Sequence, residues 1–286
     1  MSWCALIAGY TQKDQPHEAL NCFEKMQKEG LSPDGVTFIL LLKACASIGD
    51  LEKAIEIHGE IDKKGIRDLL LETTLVDVYC KCGALVKARK VFDKLRVRDI
   101  ICWNALISGY VEHGYEEKAL KCLEQMHAEG ISPDAVTFIC GLKACTSTRD
   151  VDKGQEIHDD IERQGLLGTN LIVGNALIDM FSKCGSLHEA SEVFANMLNK
   201  DAVSWGTMIG GYALNSHVDG AFLLFEQMQQ GGFCPDQATF VCVLKACGLS
   251  RALEGGRFVH GLILQSRFAD DKVIGNALID MYVKCG

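Results

Sequence analysis

The stretch WNALISGYVEHGYEEKALKCLEQMHAEGISPD, residues 103–134, decides the fold class of this chain. Apolar residues recur at helical spacing in its first half, at Leu106, Ile107, Tyr110 and Val111. They do so again in its second half, at Ala119, Leu120, Leu123 and Met126. Gly114 separates the two stripes, and Gly130 with Pro133 ends the second one. The stretch therefore predicts two helices joined by a turn.

The same pattern recurs on both sides of residues 103–134. Its tryptophan appears at Trp3, Trp103 and Trp205, at spacings of 100 and 102 residues. Other matches at these spacings are Gly-Tyr at 9, 109 and 211, Pro-Asp at 33, 133 and 235, and Lys-Ala-Cys at 43, 143 and 245. A regular recurrence of helix pairs indicates an architecture in which each repeat stacks on the next.

Asp or Asn residues mark the ends of three smaller modules within each repeating unit. The predicted modules are 1–34, 35–68 and 69–99, then 100–134, 135–170 and 171–201, then 202–236, 237–271 and an incomplete 272–286. A helix pair of this length cannot bury its own apolar faces, so neighbouring modules must stack. We therefore expect an all-α fold, a right-handed α-solenoid of stacked helix-turn-helix repeats that forms a single domain over residues 1–286.

Composition places the chain among ordinary folded proteins. It has 286 residues, of which 48% are hydrophobic and 23% charged, and 29 basic against 38 acidic residues give a formal charge of −9. These values exclude a disordered or collagen-like chain. No run approaches the roughly 18 apolar residues of a membrane span, and the first ten residues do not resemble a secretory signal or a transit peptide.

The sequence indicates neither a metal site nor an active site. The 14 cysteines include no Cys-x-x-Cys pair, so we expect reduced thiols and no bound metal or cofactor. Residues 58–60, His-Gly-Glu, match the first half of a zinc deaminase signature, but its Pro-Cys-x-x-Cys half is absent. No phosphate-binding loop or nucleophile elbow is present either. We therefore expect that the chain is not an enzyme.

Two families of helix-pair repeats are similar to these modules. The first module fits the tetratricopeptide pattern in part, but that pattern holds 34 residues, whereas the predicted modules alternate at about 35, 35 and 31. Residues 103–110, 136–138 with 142–145, and 174–180 resemble instead the P, L and S modules of plant pentatricopeptide repeat proteins. This resemblance to the PLS subfamily covers the whole chain. Because the last module stops after its first helix, we expect a fragment without C-terminal extension domains.

The resemblance implies sequence-specific binding of single-stranded RNA, with one module per base. It also implies a place in organellar RNA processing, in a mitochondrion or a chloroplast, such as guiding C-to-U RNA editing. A separate editing enzyme or cofactor protein would then be a further partner, since the chain carries no deaminase signature.

In this family the fifth and the last residue of a module read the base. In the P and S modules these positions hold Cys4 with Asp34, Thr73 with Asp99, Asn104 with Asp134, Asn175 with Asp201, Gly206 with Asp236, and Asn276. The L modules carry Ile39, Ile139 and Val241, which cannot hydrogen-bond a base edge. The family's pairing rules assign G to Thr73 with Asp99, and U to both Asn–Asp pairs. An alternative role for the last residues is to cap the next helix, and the two roles can coexist.

In the same family the second residue of a module clamps the base from its flat side. The second positions here are all apolar, at Met1, Val36, Leu70, Ile101, Val136, Ile172, Val203, Ala238 and Val273. The sequence therefore predicts an aliphatic surface beside the reading residues.

Lysines follow the fifth position along the first helix, because residues four apart lie on one stripe. Lys81, Lys183 and Lys284 occupy the thirteenth position of the S modules, and we expect them to meet phosphates. For Lys43, Lys143 and Lys245 at the ninth position of the L modules, we expect solvated side chains. The acidic net charge opposes nucleic-acid binding. The alternative is therefore a protein-binding α-solenoid scaffold of tetratricopeptide-like type, with a peptide in its concave groove.

Overall fold

The computed structural model of this chain describes residues 3–286. Within that range the chain forms helices and no strand. The helices are α1 (Trp3–Gln12), α2 (Pro16–Lys28), α3 (Gly35–Ile48), α4 (Leu51–Lys64), α5 (Leu69–Lys81), α6 (Leu85–Lys94), α7 (Ile100–Glu112), α8 (Glu116–Ala128), α9 (Ala135–Thr148), α10 (Val151–Arg163), α11 (Leu166–Thr169), α12 (Leu171–Lys183), α13 (Leu187–Asn196), α14 (Ala202–Leu214), α15 (Val218–Gln230), α16 (Gln237–Ser250), α17 (Leu253–Leu264) and α18 (Lys272–Cys285).

Acidic caps determine where the first helix of each pair begins. The Asp34 side chain accepts a hydrogen bond from the Thr37 backbone N–H at 2.8 Å, and Asp99 accepts one from Cys102 N–H at 2.9 Å. Such caps satisfy backbone donors that have no partner inside the helix. The same contact starts the helices after Asp68, Asp134, Asn170, Asp201, Asp236 and Asp271. The capping role considered for the last residue of a module is therefore present.

The chain divides into two compact units, Met1–Cys140 and Gly141–Gly286, and the division falls inside α9. We call them unit 1 and unit 2. The description as one domain of nine modules stays a prediction.

In unit 1 the helices pair in chain order, and the pairs stack. The first helices α1, α3, α5 and α7 contact each other in order, and each packs on its own second helix. Four large aromatic side chains are fully buried among these helices, those of Phe23, Phe38, Phe92 and Trp103. The Phe92 and Trp103 rings meet edge to face, with centroids 4.6 Å apart. Unit 1 is thus a stack of helix pairs, as in an α-solenoid.

Unit 2 is built in the same way. Its first helices α12, α14, α16 and α18 contact each other in order, and α13, α15 and α17 pack on them as second helices. Its core includes Phe225, Phe240, Val243, Leu244 and Met281. The fold class is therefore all-α, with stacked helix-turn-helix repeats in both units.

First helices approach each other most closely where the sequence places a glycine. A Cβ atom added to Gly109 would lie 2.4 Å from Cys80 Sγ and 2.5 Å from Cys80 Cβ, across the contact between α7 and α5. In unit 2 a Cβ atom on Gly211 would lie 2.3 Å from Ser182 Oγ. At residues 109 and 211 the stacking of first helices therefore leaves no room for a side chain, whereas Gly9 in α1 has open space.

The cysteines are all free thiols. Burial raises the pKa of the thiols of Cys45, Cys80, Cys102 and Cys145 to about 12, so they are protonated at neutral pH. Residues 3–286 contain no cluster of three or more His, Cys, Asp or Glu side chains that could hold a metal ion. None of the helices in this range is long and apolar enough to cross a membrane.

Candidate nucleic-acid interface

An aliphatic row lies open to solvent at the start of the first helices. The predicted clamp residues are between 51% and 68% exposed, and they are Val36, Leu70, Ile101 and Val136 in unit 1 and Ile172, Val203 and Val273 in unit 2. Ala238 is exposed as well, and Met1 lies outside the described residues. Exposed aliphatic side chains thus recur at the second position of the predicted modules in both units.

A cavity of about 320 Å³ in unit 1 brings predicted clamp and reading residues together. Leu70, Ile101 and Val136 line it, and so do Thr73 and Asn104. Lys43, for which we expected a solvated side chain, is exposed and also lines this cavity beside the predicted reading residues. Residues from four consecutive predicted modules thus meet in one pocket of the size typical for ligand sites.

The Asn104 side chain is held at both ends of its amide. Its Nδ2 donates to Asp134 Oδ1 at 3.0 Å and to Asp134 Oδ2 at 3.2 Å. Its Oδ1 accepts from the Thr137 hydroxyl at 2.5 Å. An ionised carboxylate only accepts hydrogen bonds, so the NH₂ group must face Asp134 and the carbonyl must face Thr137. An amide oxygen has two lone pairs, so the bond from Thr137 leaves Asn104 Oδ1 able to accept one further hydrogen bond.

Asp134 is ionised at neutral pH, which makes this orientation stable. Burial alone raises the pKa of its carboxyl, but hydrogen bonds from the Thr137 backbone N–H, the Asn104 amide and the Thr137 hydroxyl together hold that pKa below its usual value. Thr137 was not among the residues predicted from the sequence. Its signal is the spacing Asp-x-x-Thr, which recurs at Asp34 with Thr37 and at Asp236 with Thr239.

Asn175 repeats part of this arrangement in unit 2. The Asn175 side chain donates to Asp201, and this bond, together with those from the Ser204 backbone and side chain, outweighs burial and lowers the pKa of the Asp201 carboxyl. Ser204 bonds Asp201 at 2.8 Å. The buried Asn175 Oδ1 atom has no hydrogen-bond partner. The carbonyl oxygen of Asn175 therefore lacks a donor, whereas that of Asn104 accepts a hydrogen bond from Thr137.

Thr73 occupies the cavity wall without meeting its predicted partner. Its side chain is only 5% exposed, and its hydroxyl has no hydrogen-bond partner. Asp99 bonds the backbone of Cys102 instead. A buried hydroxyl without a partner costs about 1 to 3 kcal/mol, and a bound ligand could supply the missing bond.

The remaining predicted reading positions do not hold a side-chain amide against an aspartate. Cys4 is half-buried, and Asp34 accepts a hydrogen bond from the Thr37 hydroxyl at 2.6 Å. At Gly206 a Cβ atom would lie 2.7 Å from Thr239 Oγ1, so this position presents backbone only, next to Asp236. Asn276 is exposed to solvent. Asn104 and Asn175 are thus the two predicted reading residues whose side-chain amides bond the aspartate at the end of their module.

The three predicted phosphate lysines are each paired with an aspartate one turn earlier. Lys81 lies 2.8 Å from Asp77, and Lys183 and Lys284 make the same contact at 2.7 Å with Asp179 and Asp280. All six side chains are roughly one-third to one-half exposed. Exposed pairs of this kind contribute at most about 1 kcal/mol, so a phosphate can compete with the aspartate. The lysines are nevertheless not free cations, which the spacing alone did not indicate.

Comparison with known protein families shows to which family the chain belongs. The sequence profile of the PPR repeat family matches residues 1–47, 98–147 and 200–248, and the PPR repeat profile matches 36–66, 73–100 and 175–201. The chain belongs to the pentatricopeptide repeat family. The family resemblance predicted from the sequence is thereby confirmed, whereas the PLS subfamily stays a prediction.

Several pentatricopeptide repeat-containing proteins of Arabidopsis thaliana match the whole chain. One is 38% identical over 288 residues, which cover 100% of this chain and 40% of the relative. A second, named as mitochondrial, is 36% identical and covers 99% of this chain and 47% of its own length. A third, named as chloroplastic, is 33% identical and covers 100% and 35%. This chain thus spans less than half the length of these relatives.

Solved structures of pentatricopeptide repeat proteins share the fold. The structure of PPR10 from maize matches 99% of this chain and 47% of its own, with a TM-score of 0.60 and 17% identity. The structure of PPR10 in complex with an 18-nt psaJ RNA element matches 94% and 45%, with a TM-score of 0.54 and 20% identity. At this identity the likeness concerns the fold, and it confirms the predicted α-solenoid class.

Proposed function

We propose that this chain binds single-stranded RNA on the face formed by the second and fifth residues of its first helices. One observation carries the proposal. The Asn104 amide is fixed by Asp134 and Thr137 at the edge of a cavity that exposed Leu70 and Ile101 also line. A donor and an acceptor in fixed order, between apolar side chains, suit one edge and two flat faces of a base.

The predicted modules determine how an RNA strand would align with the chain. Each module from 1–34 to 272–286 would meet one nucleotide, with the base assignments that the family resemblance implies. Asn104 with Asp134 and Asn175 with Asp201 would both favour U, and Thr73 with Asp99 would favour G. Lys81, Lys183 and Lys284 would exchange their aspartates for phosphates as the strand binds.

The biological setting is a further part of the proposal. We infer that the chain acts in organellar RNA processing, such as C-to-U editing, together with a separate editing enzyme. Relatives named as mitochondrial and as chloroplastic support an organelle. The proposed PLS order of modules supports editing, because the family resemblance links that order to editing factors.

A pair of serine variants tests the proposed face. Ile172→Ser removes a predicted clamp that is 68% exposed, and Leu223→Ser removes an exposed leucine of the second helix α15. We expect Ile172→Ser to weaken binding to a single-stranded RNA about tenfold, since stacking contacts contribute about 1 to 3 kcal/mol per base. Leu223→Ser should leave it unchanged. Filter binding measures the RNA affinity of both variants, with duplex DNA as the competitor. The proposal would be overturned if the chain bound duplex DNA as tightly as RNA, or if the two variants had equal effects.

A further inference from the structure

A second cavity, of about 580 Å³, lies in unit 1 between the second helices α6 and α8. Four cations line it, Lys87, Arg89, Lys90 and Lys118, and no carboxylate does. Tyr110, Tyr115 and the apolar residues Leu85 and Val86 form the rest of its wall, with the turn at Gly83 and Ala84. None of these residues belongs to the proposed RNA face. We call this cavity the basic cleft.

The cations of the basic cleft differ in how far they are already engaged. The Arg89 guanidinium bonds Asp93 at 2.8 Å and Gln125 at 3.1 Å, and it therefore serves the packing of α6 against α8. The Lys118 ammonium lies 4.4 Å from the centre of the Tyr115 ring. Lys87 and Lys90 are exposed, and no carboxylate among the described residues pairs with either of them. Two lysines are thus free to meet an anion.

The repeats provide an internal control for this charge. In unit 2 the positions 102 residues further on hold Glu189, Ser191, Glu192 and Gly220 in place of the four cations. The helices that carry them keep their lengths, since α6 and α13 both have 10 residues and α8 and α15 both have 13. The helix pairs therefore form without these cations, so folding does not explain why four of them gather in a chain with a net charge of −9.

We propose that the basic cleft binds an acidic segment of a partner protein that also carries apolar side chains. Lys87, Lys90 and Lys118 would meet its carboxylates, and Leu85 with Val86 would meet its apolar residues. The aromatic rings argue against a nucleic acid. Tyr110 is only 5% exposed, and Lys118 covers a face of Tyr115 while its neighbour Tyr110 meets it edge to face. The lining also holds no side-chain amide such as the one that the proposed RNA face presents to the edge of a base. This inference stands independently of the proposed RNA face.

Charge reversal in the full chain tests the proposal. Lys87→Glu with Lys90→Glu installs the residue type that unit 2 carries at Glu189 and Glu192, so the variant should fold. Lys25→Glu with Lys28→Glu on α2 is the matched control, with the same spacing, the same unit and the same change in net charge. The probe is a fluorescein-labelled peptide of Glu, Gly and Leu, followed by fluorescence anisotropy at low salt. We expect the cleft variant to bind the peptide at least about tenfold more weakly, and the control variant to bind it as the parent chain does.

Three outcomes would overturn the proposal. Equal weakening in both variants would assign the effect to the general field of the chain. Unchanged peptide binding in the cleft variant would exclude the cleft. Loss of RNA binding instead of peptide binding would make the cleft part of the RNA path. If the double reversal fails to fold by circular dichroism, Lys87→Gln with Lys90→Gln gives the same readout without added negative charge.

Discussion

At the scale of single residues, Thr137 is the side chain that orders the Asn104 amide. Its hydroxyl holds the carbonyl end, while Asp134 holds the NH₂ end. Neither partner needs to touch RNA to affect what the amide presents. Thr137 is thus a positioning residue for the proposed reading of a base.

Removal of that hydroxyl should relax the choice of base without abolishing binding. Thr137→Val keeps the shape of the side chain but leaves Asn104 Oδ1 without its donor. We expect the preference for U over C at the nucleotide opposite Asn104 to fall several-fold, because one hydrogen bond contributes about 0.5 to 1.5 kcal/mol. Competition binding with RNAs that differ at this nucleotide measures the effect. Thr37→Val is the control, since Thr37 bonds Asp34 in the same way but the fifth residue of that module is Cys4, which carries no amide. An equal loss in both variants would contradict the positioning role.

At the scale of helices, the Gly-Tyr motif sets the distance between successive first helices. A side chain at Gly109 has no room against Cys80, and both residues are buried. We expect Gly109→Ala to destabilise the chain by about 1 to 3 kcal/mol through overpacking. Gly59→Ala is the control, because nothing lies within 4 Å of a Cβ atom there and alanine favours the middle of α4. Urea unfolding compares the two, and a Gly109→Ala chain as stable as Gly59→Ala would contradict the close packing.

The ion pairs along the first helices suggest a variant that should gain RNA affinity. Asp77 lines the cavity and pairs with Lys81, so its negative charge would repel a phosphate that binds to Lys81. We expect Asp77→Asn to strengthen binding to single-stranded RNA several-fold at low salt, because it frees Lys81 and removes a negative charge. Asp93→Asn is matched to it, since Asp93 is in an i,i+4 pair with Arg89 on the second helix α6. The interpretation fails if the two variants bind RNA with the same affinity.

At the scale of the whole molecule, the repeated acidic caps connect stability to pH. Hydrogen bonds from the Thr37 side chain and backbone lower the pKa of Asp34, and those around Asp134, Asp201 and Asp271 act in the same direction. A carboxyl whose pKa is lower in the folded state stabilises the fold above its unfolded pKa of about 4 and loses that effect as the pH falls through the folded pKa. We expect the melting temperature to fall slightly between neutral pH and about pH 5, because burial lowers the pKa of His58, and to fall steeply below about pH 4, where the caps become protonated. A melting temperature that does not change down to about pH 3 would contradict this role of the caps.

The repeats predicted the fold class, and the family resemblance predicted the aliphatic row at the second positions. Both follow from patterns within one module, such as the helical stripes of residues 103–134 and the apolar second positions. The contact of Asn104 with Thr137 joins residues 33 positions apart, and the pairing of Lys81 with Asp77 depends on side-chain choice rather than on spacing. The basic cleft could not be predicted from the sequence, because its lysines come together only when α6 and α8 pack side by side.

The central claim is that Asn104 reads a base, and a selection from randomised RNA tests it most directly. The wild-type chain and Asn104→Thr are compared, because a hydroxyl replaces the ordered donor and acceptor while Ile101 and the backbone stay in place. We predict that preference at one nucleotide moves from U toward G, with a discrimination of about 1 to 3 kcal/mol, and that the nucleotide opposite Asn175 does not change. If both chains selected the same sequence, or if the variant lost affinity equally for all four bases, Asn104 would have a structural role only and the account of base reading would be wrong.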